Sequence, residues 1–236
     1  MDYFYCTPEK ISHNTVTIDG DEFNHLIHVM RKKEGDHIRV IDGIGTAYDV
    51  QLINISRRFA QGMCTAIFHN YNEPPVSITL AVGILKNPSR FDFLVEKVTE
   101  LGVRTIVPLL TKRTIPSHAK IDRWQKLALA GMKQCGRSVL PTVKELLHLG
   151  DFLTQSQSNS IRLLAHEAAD EAITLGSQLH KKASDITILI GPEGGFDDDE
   201  LDECKNAGFT LFSLGKRRLR TETAAIAASS LIVSAI

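Results

Sequence analysis

The chain has 236 residues, of which 43% are hydrophobic and 23% charged, with 27 basic and 28 acidic side chains. This balance is typical of a globular protein with a sizeable core and excludes disordered and fibrous classes. No apolar run approaches the roughly 18 residues that span a bilayer, and no secretory signal precedes the first strands. We therefore predict a cytoplasmic protein with no membrane partner. The four cysteines are widely spaced, which disfavours a disulfide framework and a zinc site.

The first seventy or so residues have the patterning of short strands. Apolar and β-branched side chains alternate over 16–18, 37–42, 47–56 and 63–69, which predicts four strands. Apolar residues at helical spacing predict one short helix over 21–32. Several short strands in so small a unit favour a compact barrel.

The pattern changes after the polar, proline-terminated segment 70–75, which we interpret as a linker. From residue 77 onward, apolar strand-like runs alternate with helical segments, which predicts an α/β domain with a parallel sheet. The sequence thus predicts two domains, 1–72 and 73–236. In the second domain, strands are predicted over 78–85, 105–109, 161–165, 186–190 and 209–214, and helices over 91–101, 123–135, 168–182, after Asp197 and from Glu222 to the end.

Basic side chains are unevenly distributed along this nearly neutral chain. They are concentrated between Lys112 and Arg137, in the cluster 216–220 and in the cluster 31–33. Local basic faces suit contacts to nucleic-acid phosphates, although such runs can equally be solvated surface. The acidic run 197–200 has a structural interpretation, because Asp197 and Glu200 have the spacing of a capping box at a helix start.

Two glycine-containing turns follow predicted strands of the second domain. They are IGPEGGF at 190–196 and LGKRRLRTETA at 214–224. Ligands of open α/β sheets bind beyond the carboxyl ends of strands, and glycine lets the main chain approach them closely. A single such turn is often only a tight connection, but two in one sheet favour a ligand site.

Several common enzyme motifs are absent from the sequence. There is no GxGxxG after the first strand, no GxxxxGK[ST], no GxSxG and no HExxH. Nicotinamide-binding folds, conventional Rossmann methyltransferases, P-loop proteins, α/β-hydrolases and HExxH zinc enzymes are therefore not supported. His25 and His28 are close in sequence, but one histidine pair does not make a metal site, and we predict none.

The two turns together resemble those of the ribosomal RNA small subunit methyltransferase E family, within the SPOUT superfamily. The resemblance extends over about 23–225. Four further blocks match in order: His25-Leu26 with 29–31 and Gly35, Lys86 with 91–102, Trp124 with 134–137 and Pro141, and finally 166–167.

This resemblance implies a fold that periodicity could not show. It implies an N-terminal PUA-like β-barrel at 1–72 that binds RNA, followed by a SPOUT α/β domain at 73–236. The second domain would contain a C-terminal trefoil knot, the S-adenosylmethionine site and a homodimer interface. Members of the family methylate uracil N3 in 16S ribosomal RNA of the small ribosomal subunit, with no metal.

The resemblance also implies site residues. Arg220 is the candidate for stabilising the uracil anion, with binding of the cofactor carboxylate or packing as rival roles. Glu222 is the candidate for positioning or proton removal, or is simply an acidic residue at a helix start. The candidate cofactor-binding residues are Leu164, His166, Ile190, Gly191, Pro192, Glu193, Gly194, Gly195, Leu214, Gly215, Leu219 and Thr223. The candidate RNA-binding residues are Arg31, Lys32, Lys33, Lys86, Lys112, Arg113, Arg123, Lys133 and Arg137.

Two other functions stay open at this stage. One is ribose 2′-O methylation, whose enzymes share the glycine-rich turn but typically carry Ser-Leu-Asn where this chain has Leu-Arg-Thr-Glu-Thr. The other is a non-catalytic RNA-binding assembly factor that retains the fold.

Overall fold

The computed structural model describes residues 3–12, 14–155, 161–167, 169 and 184–236. Residue contacts divide the chain into two compact units. The first comprises 1–73 and 132–140, and the second comprises 74–131 and 141–236. The break after residue 73 lies within the segment interpreted as a linker, while 132–140 group with the N-terminal residues. The helix predicted over 168–182 lies outside the described residues.

The first unit contains one six-stranded sheet. Its spatial order is β1-β4-β5-β6-β3-β2, and β1–β4 is its parallel pair. Alternate side chains of these strands point into a core that includes Phe4, Ile38 and Val50. The four strands predicted here are confirmed; β1 and β2 are too short to show a pattern. The strands are β1 (Tyr3–Tyr5), β2 (Ile11–Ser12), β3 (Thr15–Asp19), β4 (His37–Ile41), β5 (Thr46–Ile55) and β6 (Phe59–His69).

The helix predicted over 21–32 has a different form. A short helix α1 (Gly20–Asn24) is followed by a π-helical turn (His25–Val29), in which Met30 N donates to His25 O at 3.0 Å. Arg31 then adopts a left-handed φ of 53°, so the helix ends before the basic cluster. Side-chain spacing could not distinguish this wider turn from an α-helix, because both keep Leu26 buried.

The second unit contains a seven-stranded sheet in which every described pair is parallel. Its order is β10-β8-β7-β12-β11-β13, with β9 also paired to β8. The predicted α/β domain with a parallel sheet is therefore confirmed. The strands are β7 (Ser77–Gly83), β8 (Thr105–Leu110), β9 (Thr142–Val143), β10 (Leu147–His148), β11 (Ile161–Ala165), β12 (Asp185–Ile190) and β13 (Thr210–Phe212).

Helices connect these strands. Asn87 caps α2 by accepting a hydrogen bond from Ser89 N at 3.0 Å. The capping box of Asp197 and Glu200 is present at the start of α5, as predicted. The last helix, α6, packs on α2, β12 and β7. Among the described residues, every helix is too short or too polar to span a bilayer. The helices are α2 (Pro88–Glu100), α3 (Ile121–Cys135), α4 (Leu149–Gln155), α5 (Asp198–Asn206) and α6 (Thr221–Ala235).

Candidate functional site

Three neighbouring strands of the second unit end at one edge of the sheet. Strand β11 lies between β12 and β13, and its Leu164 is paired with Leu189 on one side and Leu211 on the other. Because all three strands are parallel, the segments that follow them leave from the same edge. A hydrogen bond of 3.2 Å from His166 N to Phe212 O links two of these segments. The structure thus brings together the sequence regions that carry the predicted cofactor residues.

The turn 190–196, which follows β12, is firmly attached to its surroundings. Gly195 adopts a φ of 70°, and its N–H donates to Pro192 O at 2.9 Å. The Arg113 guanidinium donates to Gly194 O at 3.0 Å, and Phe196 is buried. These contacts within the protein define the shape of the turn.

Lys112 attaches the same region to helix α5. Its ammonium lies 2.8 Å from Asp197 and 2.9 Å from Asp199, and its backbone N–H donates to Glu200 Oε1 at 2.7 Å. The hydrogen bonds to Asp197 and Asp199 raise the pKa of Lys112, and the hydrogen bond from Lys112 lowers the pKa of Asp197. The charge of Lys112 is thus largely balanced within the protein.

The segment 213–220, which follows β13, is more open. Gly215 has a φ of 99°, and its N–H donates to Ser213 Oγ at 3.1 Å. Residues 215–218 are exposed, whereas Leu214 and Leu219 are half-buried. A methyl group placed on Gly195 or Gly215 would meet no atom within 4 Å, so the main chain faces open space at both glycines.

The start of helix α6 is tied to the turn 190–196. Thr221 Oγ1 donates to Gly191 O at 3.0 Å. The next residue, Glu222, is 8% exposed and accepts two hydrogen bonds from Arg90, from Nε at 2.8 Å and from Nη2 at 2.5 Å. Burial acts to raise the pKa of Glu222, but the hydrogen bonds and charge of Arg90 outweigh it and hold that pKa below its usual value.

Arg90 is a site residue that the sequence analysis missed. Its third nitrogen, Nη1, donates to Glu193 Oε1 at 2.9 Å, so one guanidinium joins the start of α2, the turn 190–196 and helix α6. The available signal was its position directly before the family-like block 91–102. Nothing in local sequence indicates which carboxylates it binds.

Arg220 immediately precedes helix α6 in an extended conformation, with φ −68° and ψ 152°. Its side chain is exposed, and among the described residues no carboxylate lies within 4 Å of its guanidinium. Its charge nevertheless contributes to the lowered pKa of Glu222. Thr223, in the first turn of the helix, is also exposed.

The basic residues predicted to contact RNA differ in their availability. Arg31, Lys33 and Lys86 are exposed and Lys32 is half-buried. Arg123 is 2.8 Å from Asp92, and Lys133 is bound to Glu22. Arg137 lies in the interior, where its side chain is 3% exposed and 2.7 Å from Glu73. A side chain so placed cannot reach a phosphate, so we correct the expectation for Arg137 and assign it a structural role.

Comparisons with known families match both parts of the chain. Residues 72–233 match the family described as RNA methyltransferase domain. Residues 18–62 match the family described as RNA methyltransferase PUA domain.

Individual relatives are also RNA methyltransferases by name. The chain is 34% identical to the ribosomal RNA small subunit methyltransferase E of Synechocystis over 92% of this chain and 72% of that protein. It is 31% identical to the protein of that name from Buchnera aphidicola over 89% and 84%. The structure of the Neisseria gonorrhoeae enzyme of that name, bound to S-adenosyl methionine, superposes with a TM-score of 0.87 at 32% identity and covers 99% and 97% of the two chains. Since the family domain covers most of the chain and these relatives match over most of their length, the chain belongs to the ribosomal RNA small subunit methyltransferase E family of RNA methyltransferases.

Proposed function

We propose that this protein transfers a methyl group from S-adenosylmethionine to N3 of a uracil in 16S RNA of the small ribosomal subunit. Its relatives carry the name of small-subunit RNA methyltransferases, and the Neisseria gonorrhoeae relative binds S-adenosyl methionine. The observation that carries the proposal is the convergence of three segments at the carboxyl ends of β11, β12 and β13.

The residues at this edge suit a nucleoside cofactor. The open main chain at Gly195 and Gly215 can approach adenine and ribose, and the half-buried Leu214 and Leu219 can supply apolar walls. When bound, the cofactor supplies an electrophilic methyl group on a sulfonium. The set that we propose to hold it is Leu164, His166, Ile190, Gly191, Pro192, Glu193, Gly194, Gly195, Leu214, Gly215, Leu219 and Thr223.

We assign Arg220 to the developing negative charge on the uracil. N3 of uracil attacks the methyl carbon as its proton leaves to solvent water, and a guanidinium next to the ring stabilises the negative charge that develops. The exposed side chain of Arg220, with no carboxylate partner within 4 Å in the described chain, supports this role. Glu222 is bound to Arg90 and its pKa is lowered, which favours a positioning role over proton removal because a low pKa makes a weak base.

The RNA is proposed to lie on exposed basic side chains of both units. Arg31, Lys32 and Lys33 would contact phosphates from the first unit, which we propose to be a PUA-like barrel over 1–72. Lys86, Lys112, Arg113, Arg123 and Lys133 remain candidates, although the last four already have partners within the protein. Such contacts position RNA without reading its bases.

We propose that the catalytic domain, 73–236, is closed by a trefoil knot and acts as a homodimer. After the edge strand β13, the chain returns to pack α6 on α2, β12 and β7. This path supports a C-terminus that is threaded through the chain. Apolar side chains left exposed on the packed helices α2 and α6, Phe93 and Leu231, support a second copy that binds against these helices. Light scattering tests the dimer directly, because a monomer at micromolar concentration would contradict it.

The decisive experiment is nucleoside analysis of methylated RNA. Purified protein, labelled S-adenosylmethionine and either naked 16S RNA or small subunits are incubated, and the RNA is digested to nucleosides. We expect label in 3-methyluridine. Label in a 2′-O-methylated nucleoside would establish the ribose enzyme instead, and RNA binding without label would establish a non-catalytic assembly factor.

A further inference from the structure

Arg90 occupies a fixed position at the beginning of helix α2. Asn87 caps the helix, Pro88 occupies its first turn, and Arg90 N donates to Asn87 O at 3.1 Å. The following residue, Phe91, is fully buried and stacks on Trp124 with ring centroids 4.0 Å apart. The backbone from which the Arg90 side chain extends is therefore held by both a cap and the core.

The guanidinium of Arg90 uses three nitrogens on two carboxylates. Nε and Nη2 form a fork on Glu222 at 2.8 and 2.5 Å, and Nη1 binds Glu193 at 2.9 Å. The other oxygen of Glu193 accepts from Lys86 N at 3.2 Å. The side chains of Arg90 and Glu222 are 26% and 10% exposed, so water screens this pair only in part. Paired hydrogen bonds of this kind fix direction as well as distance.

One carboxylate belongs to the turn 190–196 of the proposed site, and the other belongs to the start of helix α6, directly after the segment 213–220. Glu193 lies in the turn 190–196, and Glu222 lies two residues after Arg220. Thr221, between Arg220 and Glu222, makes the second tie by donating to Gly191 O. The position of Arg220 relative to the turn 190–196 is thus set by two ties directly after it in the chain, the bond from Thr221 to Gly191 and the link of Glu222 through Arg90 to Glu193.

We infer that Arg90 is a positioning residue for methyl transfer, which holds the turn 190–196 and the start of α6 together so that Arg220 faces the methyl acceptor. This inference rests on the proposed function. Arg90 acts through Glu193 and Glu222 and does not itself touch the uracil. Lysine at this position keeps the charge but cannot form the planar fork.

The test uses full-length protein with Arg90→Gln, Arg90→Lys and, as a control on the same helix, Lys97→Gln. The Lys97 side chain forms an ion pair with Glu100 three residues away and lies 5.8 Å from the centroid of the Phe93 ring, both on helix α2. Single-turnover methyl transfer, S-adenosylmethionine affinity, RNA affinity and thermal melting are measured for each. We expect Arg90→Gln to slow transfer by about 100-fold, the scale of a misplacement near 1 Å, with RNA affinity kept. Arg90→Lys should lose less, and Lys97→Gln should match the wild type.

A double variant separates positioning from stability. Arg90→Gln alone leaves Glu222 as a mostly buried, unpaired charge, which lowers the melting temperature. Adding Glu222→Gln removes that charge, so we expect melting to recover while transfer stays slow. Recovery of both the melting temperature and the transfer rate would make Arg90 only a stabilising residue and overturn the inference. An unchanged transfer rate in folded Arg90→Gln would also overturn it, as would a loss of rate explained entirely by weaker RNA binding. A wild-type protein that transfers no methyl group would overturn the proposed function as well.

Discussion

The two glycine-containing segments of the second unit differ in how they are held. The turn 190–196 is bound through Gly194, Glu193 and Gly191 to three separate parts of the unit. The segment 213–220 has one described side-chain to main-chain bond, within itself at Gly215, and exposes four consecutive residues at 215–218. One segment is a rigid support, and the other presents cations to the solvent.

Both segments contain glycine, which alone would suggest the same role for each. The difference in how they are held indicates two different roles. A preformed main chain can bind a cofactor without reorganisation, which favours affinity. The exposed segment beside it can bind an anionic partner through Arg217, Arg218 and Arg220, which have no carboxylate within 4 Å among the described residues. We therefore expect changes in the two segments to affect different measurements.

The largest expected effect comes from Arg220→Ala. The guanidinium lies at the end of the exposed segment, where it would stabilise the uracil anion, and removing one such donor typically costs about 100- to 1,000-fold in rate. Arg220→Lys should be intermediate because it lacks the planar fork. Single-turnover kinetics measure the rate, and calorimetry should show unchanged S-adenosylmethionine affinity. A loss of S-adenosylmethionine affinity as large as the loss of rate would instead assign Arg220 to binding the cofactor. A lowered melting temperature alone would assign it to packing. Full activity of Arg220→Ala would remove Arg220 from catalysis.

A methyl group added beside the rigid turn should disturb it. In Gly83→Ala the new carbon would lie 2.6 Å from Pro192 N, so the turn must shift. Overpacking of this kind costs about 1–3 kcal/mol. We expect lower stability in denaturant unfolding together with weaker S-adenosylmethionine binding.

The matched control is Gly150→Ala in α4, where a methyl group meets no atom within 4 Å. It should leave cofactor binding intact and stabilise the helix slightly. Equal cofactor affinity in both variants would contradict the assignment of the turn 190–196 to the cofactor.

Removing charges should affect the salt dependence of RNA binding more in the exposed segment 213–220 than at the paired Lys112. Each phosphate contact that is lost reduces the steepness of log binding constant against log salt concentration by about 0.7 for single-stranded RNA. We expect Arg217→Gln with Arg218→Gln to flatten the slope more than Lys112→Gln with Arg113→Gln does, because Lys112 is already paired with Asp197 and Asp199. RNA titrations from low to moderate salt measure this. Identical slopes in wild type and both variants would leave all four residues as solvated surface.

The smallest expected effect is on the pH dependence of stability. The pKa of Glu222 is lowered in the folded protein, so its contribution to stability is present above the unfolded pKa of about 4.3. That contribution is lost as pH falls through the lower folded pKa. The free energies of unfolding of wild type and Glu222→Gln, measured in urea from pH 7 to pH 3, should therefore approach each other at the acid end. A constant difference at all pH values would show that Glu222 acts through packing instead of charge.

Local patterns were sufficient for much of the fold and part of the site. Alternating apolar residues indicated four of the six strands of the first unit, and the strand–helix alternation indicated the parallel sheet. The spacing of Asp197 and Glu200 indicated the capping box that is present. Helix α4 and strands β9 and β10 were missed, because seven-residue and two-residue elements carry too little periodicity to detect.

The sequence was enough to recognise the family, through two long motifs whose residues are neighbours along the chain, and to propose residues for its chemistry. Which charges are already paired is visible only in the folded chain. Arg90 meets Glu193 and Glu222 at separations of 103 and 132 residues, and Arg137 meets Glu73 at a separation of 64. Such pairs depend on how the sheet order brings distant segments together, and a charge has no periodic signature that reveals its partner. For this reason the buried Arg137 and the exposed Arg220 looked alike in sequence and differ in the folded protein.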